Sequence, residues 1–99
     1  MSAAWKQLER HTAKALGGKR NPAAAGAGGC DVLEVPGFVV ECKYRQTLQI
    51  DTLFREERAK RKKELSDGNR FALVVRAKGR EPLAVLSLAD FAALLSTVN

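Results

Sequence analysis

Aromatic residues are scarce in this 99-residue chain, with one Trp, one Tyr and four Phe, and cysteine occurs only twice and histidine once. Two thiols, Cys30 and Cys42, cannot build a disulfide framework, and with His11 as the sole imidazole they fall short of a zinc site. So few aromatics, none in a stacking array, argue against base-by-base recognition of single-stranded RNA. Nowhere are there the eighteen or so consecutive apolar residues that a membrane helix needs. The start, Met1-Ser-Ala-Ala-Trp-Lys6, has no apolar run of the signal-peptide kind. These absences lead us to expect a soluble, cytoplasmic protein. No internal repeat is present, and the length suits one domain over 1–99 that buries roughly 60–70% of its unfolded surface.

What is present is a concentrated set of charges. Asp31, Glu41 and Lys43 stand in the pattern D-x9-E-x-K, within two short Val-rich runs that flank Pro36-Gly37, the composition of strand, tight turn and strand. Register decides what the pattern means. A two-residue turn would pair Asp31 with Cys42 and point it away from Glu41. A three-residue loop, Val35 to Gly37, with Gly37 in the left-handed conformation, pairs Glu34 with Phe38 and therefore Asp31 with Glu41. We adopt the second register. Alternation along the strands then sets Asp31, Glu41, Lys43, Val39 and Leu33 on one face, and Val32, Phe38, Val40 and Cys42 on a core-facing side.

Two adjacent carboxylates are natural ligands for Mg²⁺, which prefers carboxylate plus water and completes its shell with phosphate. A nearby Lys can orient the attacking water and neutralise charge on a phosphoryl group. The alternative is an exposed Glu-x-Lys surface pair beside an Asp that merely begins a strand. Upstream, Trp5, Leu8, Thr12 and Leu16 recur at helical spacing over residues 2–16, with Glu9 at the margin of the stripe. Glu9 is either an ordinary helix-edge residue or a third acid turned toward the hairpin.

With Trp5-Lys-Gln-Leu-Glu-Arg10, the Gly-rich basic loop Leu16 to Pro22, Gly29-Cys-Asp31 and Val40-Glu-Cys-Lys43, the chain resembles the PD-(D/E)xK nuclease superfamily. Within it, the resemblance is to the small archaeal-type and phage Holliday junction resolvases. Cys30 replaces the proline of the superfamily's name, and 23–29 lacks the serine that the archaeal resolvases tend to carry. The resemblance implies an α/β restriction-endonuclease-like fold, a mixed central sheet of about four strands flanked by helices. It implies Mg²⁺, with Mn²⁺ able to substitute, held by Glu9, Asp31, Glu41 and the backbone carbonyl of Cys42. Lys43 would act with the three acids in catalysis.

Seventeen Lys plus Arg against eleven Asp plus Glu give a net charge of +6 and a pI near 9.8. We expect phosphate contacts from Lys19, Arg20, Arg45, Arg55, Arg58, Arg61 and Lys62. Four of these lie on an expected helix over 51–65, capped by Asp51 and ended by Ser66-Asp-Gly68. Its apolar face is thin: Ile50, Leu53, Phe54 and Leu65 reach the core. The pairs Glu56–Lys60 and Glu57–Arg61 have favourable i,i+4 order, so a self-satisfied surface helix competes with DNA contact. The remaining segments read as structural. Strands over 71–77 and 83–88 flank a basic turn, and a last helix capped by Ser87 buries Phe91, Leu94, Leu95 and Val98.

The leading expectation is a Mg²⁺-dependent endonuclease acting on branched DNA, a four-way junction, and working as a homodimer because paired nicks need two sites. A repair or restriction-like nicking nuclease would use the same residues. A non-catalytic DNA-binding module is the alternative from another class.

Overall fold

The structure, a computed structural model, describes residues 3–22 and 29–97. In chain order its elements are α1 (Ala4–Leu16), β1 (Lys19–Arg20), β2 (Val32–Leu33), β3 (Phe38–Arg45), α2 (Ile50–Lys60), α3 (Lys62–Leu65), β4 (Arg70–Ala77), β5 (Leu83–Val85) and α4 (Leu88–Ser96). The strands form one five-stranded mixed sheet in the order β1-β2-β3-β4-β5, in which only β3 and β4 are parallel. A parallel pair needs a long crossover, and α2 with α3 supplies it. The α/β class with flanking helices is as expected. The fifth strand is Lys19–Arg20, which the sequence assigns to a loop because two residues carry no alternation.

Packing on both faces of β3 and β4 explains the near-continuous apolar run Phe71-Ala-Leu-Val-Val75, all buried. On the α1 face, Leu8 and Ala13 of the helix pack with Val32, Val40, Cys42, Ala72 and Val74 of the sheet. Under α2 and α3 lie Val39, Phe71, Leu73 and Val75, against Leu53, Phe54 and Leu65. Phe54 meets Phe71 edge to face at 5.4 Å. The single core side expected for the hairpin is thus two: Val39 shares a face with Glu41 yet is buried.

Helix α1 turns a different stripe inward from the one its periodicity suggests. Leu8, Glu9, Thr12 and Ala13 are buried, whereas Trp5 and Leu16 are 42% and 46% exposed. Thr12 satisfies its hydroxyl by donating to the Leu8 carbonyl at 2.7 Å. Trp5 lies beneath the cations of Lys6 and Arg20, at 5.4 and 5.9 Å. Gly17, at φ 73, ends the helix in the left-handed conformation. Gly18 then runs so close to β2 that a Cβ there would collide with the Leu33 carbonyl oxygen and lie 2.8 Å from Val35 Cγ2.

The expected single helix over 51–65 is broken. Asp51 lies in the first turn of α2 and accepts from Arg55 at 2.9 Å instead of capping. At Arg61 the backbone leaves the helical region (φ −105, ψ 20) before the short α3. Strand β5 stops at Val85 because Ser87 opens α4, its side chain accepting from the Asp90 N–H at 3.1 Å. The cap is as expected; the buried stripe is not. Phe91 and Leu95 are exposed, as is Leu88, and Leu94 is half-buried. Val98 and the glycine- and alanine-rich residues 23–28 lie outside the described residues. Among the described residues no helix is long and apolar enough to cross a membrane.

Candidate active site

The pairing of Val32 with Val40 is the one expected of the register that brings Asp31 beside Glu41, although regular pairing ends at Val32. The tip itself is a correction: the Phe38 N–H donates to the Val35 carbonyl at 3.1 Å, closing a two-residue Pro36-Gly37 turn with Gly37 at φ 80, and Glu34, at φ 62, is the extra residue that restores the expected register and limits β2 to two residues. Beyond β2, Asp31 continues the edge with its side chain. The Asp31 N–H donates to the Val40 carbonyl at 3.1 Å, and the Cys42 N–H donates to Asp31 Oδ2 at 2.8 Å. A strand residue's N–H and C=O point to the same edge, so the Cys42 carbonyl is directed to the same side as the Asp31 carboxylate. Asn21 braces the segment, its N–H donating to the Asp31 carbonyl at 2.8 Å and Nδ2 to the Cys30 carbonyl at 2.9 Å.

Glu41 is 4% exposed. Burial and the neighbouring Asp31 carboxylate raise its pKa to about 8, against the Arg61 charge. Two carboxyl groups this close do not both ionise readily. Arg61 Nε lies 3.5 Å from Glu41 Oε1, but without hydrogen-bond geometry, so both buried atoms lack a hydrogen-bond partner. Lys43, on the same face, points its ammonium at Glu57 Oε1, 3.4 Å away. Glu57 is buried on α2, and its second oxygen accepts from Lys60 Nζ at 3.0 Å. Burial acts to raise the Glu57 pKa, yet the Lys60 hydrogen bond and the Lys43 charge hold it below its usual range.

Glu9 arrives from α1 on the opposite face of the sheet, buried and bound by Arg20 Nε at 2.8 Å. Burial raises its pKa, opposed by the Arg20 hydrogen bond and reinforced by Asp31. Asp31 thus acts on both other acids, and the Lys43 charge also reaches Glu9. A cleft of about 580 Å³ opens here, lined by Trp5, Glu9, Arg20, Asp31, Lys43 and Arg45 among others, but not by Glu41. Cys42 also borders it, but burial pushes its thiol up to about 12, which removes it as a nucleophile.

The donor set fits a hard divalent cation. An unpartnered buried oxygen on Glu41, the adjacent Asp31 carboxylate and the edge-directed Cys42 carbonyl are all oxygen ligands of the kind Mg²⁺ takes alongside water. Among the described residues, no three His, Cys, Asp or Glu side chains are gathered closely enough to hold an ion as they stand. Glu9 is the outlying acid, since its ion pair with Arg20 occupies it.

The expected DNA contacts divide into two groups. Lys19, Arg45, Arg58 and Lys62 are exposed, although Lys19 pairs loosely with Glu34 at 3.7 Å and Arg58 covers the Phe54 ring at 4.9 Å. Arg55 is exposed but bound to Asp51. Arg20 and Arg61 turn inward, each ion-paired to an acid of the site, Glu9 and Glu41. Glu57 and Arg61 do not pair with each other; Arg61 bonds Glu64 at 3.3 Å instead. Sequence reasoning missed Glu57. The signal was available, because 53, 54, 57, 61 and 65 follow one core-facing helical stripe in which Glu57 and Arg61 interrupt apolar residues, whereas Ile50, expected to reach the core, is 37% exposed.

Comparisons with protein-family models, curated proteins and solved structures give no match to this chain.

Proposed function

We propose that this protein is a metal-dependent endodeoxyribonuclease of restriction-endonuclease-like fold that hydrolyses phosphodiesters in branched DNA, and that it acts as a homodimer on four-way junctions. The observation that carries the proposal is Glu41: a buried carboxylate with an oxygen that accepts no hydrogen bond, beside Asp31 and two residues from Lys43, both of which line a cleft, in a chain of net charge +6. Arg61 lies 3.5 Å from that oxygen without hydrogen-bonding it, so the acid pair is only partly compensated and a bound cation would complete the compensation. Asp31, Glu41 and the Cys42 carbonyl would hold Mg²⁺, with Glu9 joining once released from Arg20. A bound Mg²⁺ supplies Lewis acidity at the phosphate and lowers the pKa of a water. Lys43 presents a cation at the cleft where charge develops on the phosphoryl oxygens, and orients the attacking water. Arg45 and Lys19 neutralise flanking phosphates without reading sequence. Four-way junctions as substrate rest on the resemblance to the resolvases.

The test is cleavage of an end-labelled four-way junction and a matched linear duplex, with Mg²⁺ or EDTA, by wild type and Asp31→Asn. We expect paired nicks in the junction that need Mg²⁺ and fall by about 10²–10³-fold in the variant, the scale for losing a directly acting electrostatic group. Equal cutting of both substrates would keep the nuclease and remove the junction. Tight binding with no cutting of either would favour the non-catalytic DNA-binding module.

A further inference from the structure

Helix α2 faces the sheet with a charged residue where its stripe calls for an apolar one. Glu57 is 4% exposed and lies about one turn from Leu53 and Phe54, which pack on the sheet, yet a buried carboxylate is costly unless its partners are well placed. Its two oxygens are divided between two lysines. Oε2 takes the exposed Lys60 one turn on, at 3.0 Å, while Oε1 is left aimed across the interface at Lys43 Nζ, 3.4 Å away. Lys60 is therefore a strut that fixes the carboxylate, and the carboxylate fixes the end of a long, otherwise mobile side chain. We propose that Glu57 is a positioning residue: it holds the Lys43 ammonium at the cleft in the orientation that phosphodiester hydrolysis uses. This rests on the nuclease function above. Glu57 itself does not line the cleft, so its effect passes through Lys43.

The test compares wild type, Glu57→Gln, Glu57→Asp, Lys43→Met and Glu57→Gln/Lys43→Met. Readouts are the single-turnover cleavage rate with Mg²⁺, the Kd for the same DNA in EDTA, and the thermal midpoint. Glu57→Gln keeps the shape and removes the charge; Glu57→Asp keeps the charge and draws it away from Lys43. For either variant we expect the rate to fall about 10–100-fold, the scale for supporting residues behind a site, with Kd within about twofold. In the Lys43→Met background Glu57→Gln should cause no further loss, since residues acting as a unit are non-additive. An unchanged rate in both Glu57 variants, a rate that falls only in step with Kd or folded fraction, or the same fold-loss with and without Lys43 would each overturn the proposal. If wild type itself does not cleave with Mg²⁺, the nuclease function fails and not the placement of Glu57. Should one Glu57 variant not fold, the other decides.

Discussion

The two faces of β3 are built from the same strand and are both covered by helix, but they are filled differently. Toward α1 the even-numbered residues Phe38, Val40, Cys42 and Tyr44 pack on Leu8, Val32 and Val74. Toward α2 the sequence Val39, Glu41, Lys43 passes from core to charge within five residues, and α2 with the Arg61 that follows it answers in kind through Phe54, Glu57 and Arg61. The first face shows what the fold needs, and the second shows what it tolerates. Four charged groups in a half-dry interface are a poor way to stabilise a sheet, so the α2 face holds the strongest indication of chemistry in the molecule.

That contrast can be broken from either side. The largest stability effect belongs to the α1 face: Leu8→Ala, at 1% exposure, should cost about 2–5 kcal/mol in urea unfolding. A cost under about 1 kcal/mol would mean that α1 is loosely seated. On the α2 face, Glu41→Gln should do the opposite, abolishing Mg²⁺-dependent cleavage while stabilising the metal-free protein. The sign follows from the raised pKa. Between about 4.5 and about 8 the native state holds a proton on Glu41 that the unfolded chain has lost. This contribution is complete below the lower value and disappears as pH rises through the upper one. Unfolding midpoints of the metal-free wild type should therefore decline across that window, and the decline should flatten in Glu41→Gln. Equal slopes for the two would disprove the buried-proton account. The smallest effect sharpens the distinction between inward and outward cations. Lys62→Ala should lower the salt slope of DNA binding by about one, whereas Arg61→Ala should leave that slope unchanged and alter the site.

The hairpin was legible because three local rules agree: Val-rich alternation, a glycine placed for a left-handed loop position, and a period of two that assigns every side chain once Asp31 faces Glu41. The Ser87 cap was legible for the same local reason. What escaped depends on contacts between elements. The i,i+4 rule pairs Glu57 with Arg61 along the helix, but each takes an i,i+3 partner instead, Lys60 and Glu64, and faces a charge of β3 across the interface, Lys43 and Glu41. The periodicity of α4 announces an apolar stripe and carries no information about whether anything covers it. In α1, Glu9 is bound by Arg20 from β1, a contact between elements that helical spacing does not contain, and Trp5 lies outside under two cations. Strand β1 itself is too short to have a pattern.

Gly18 ties this site to a residue no chemist would mutate to find it. A methyl group at that position collides with the main chain of β2, and main chain cannot rotate aside as a side chain can. The strand would have to slide, taking along Asp31, which adjoins Val32 and reaches Cys42 through its carboxylate. In a library of all single substitutions scored for cleavage, position 18 should therefore accept glycine alone. It should group with the acidic positions rather than with the loop glycines, and appear catalytic while carrying no functional group at all.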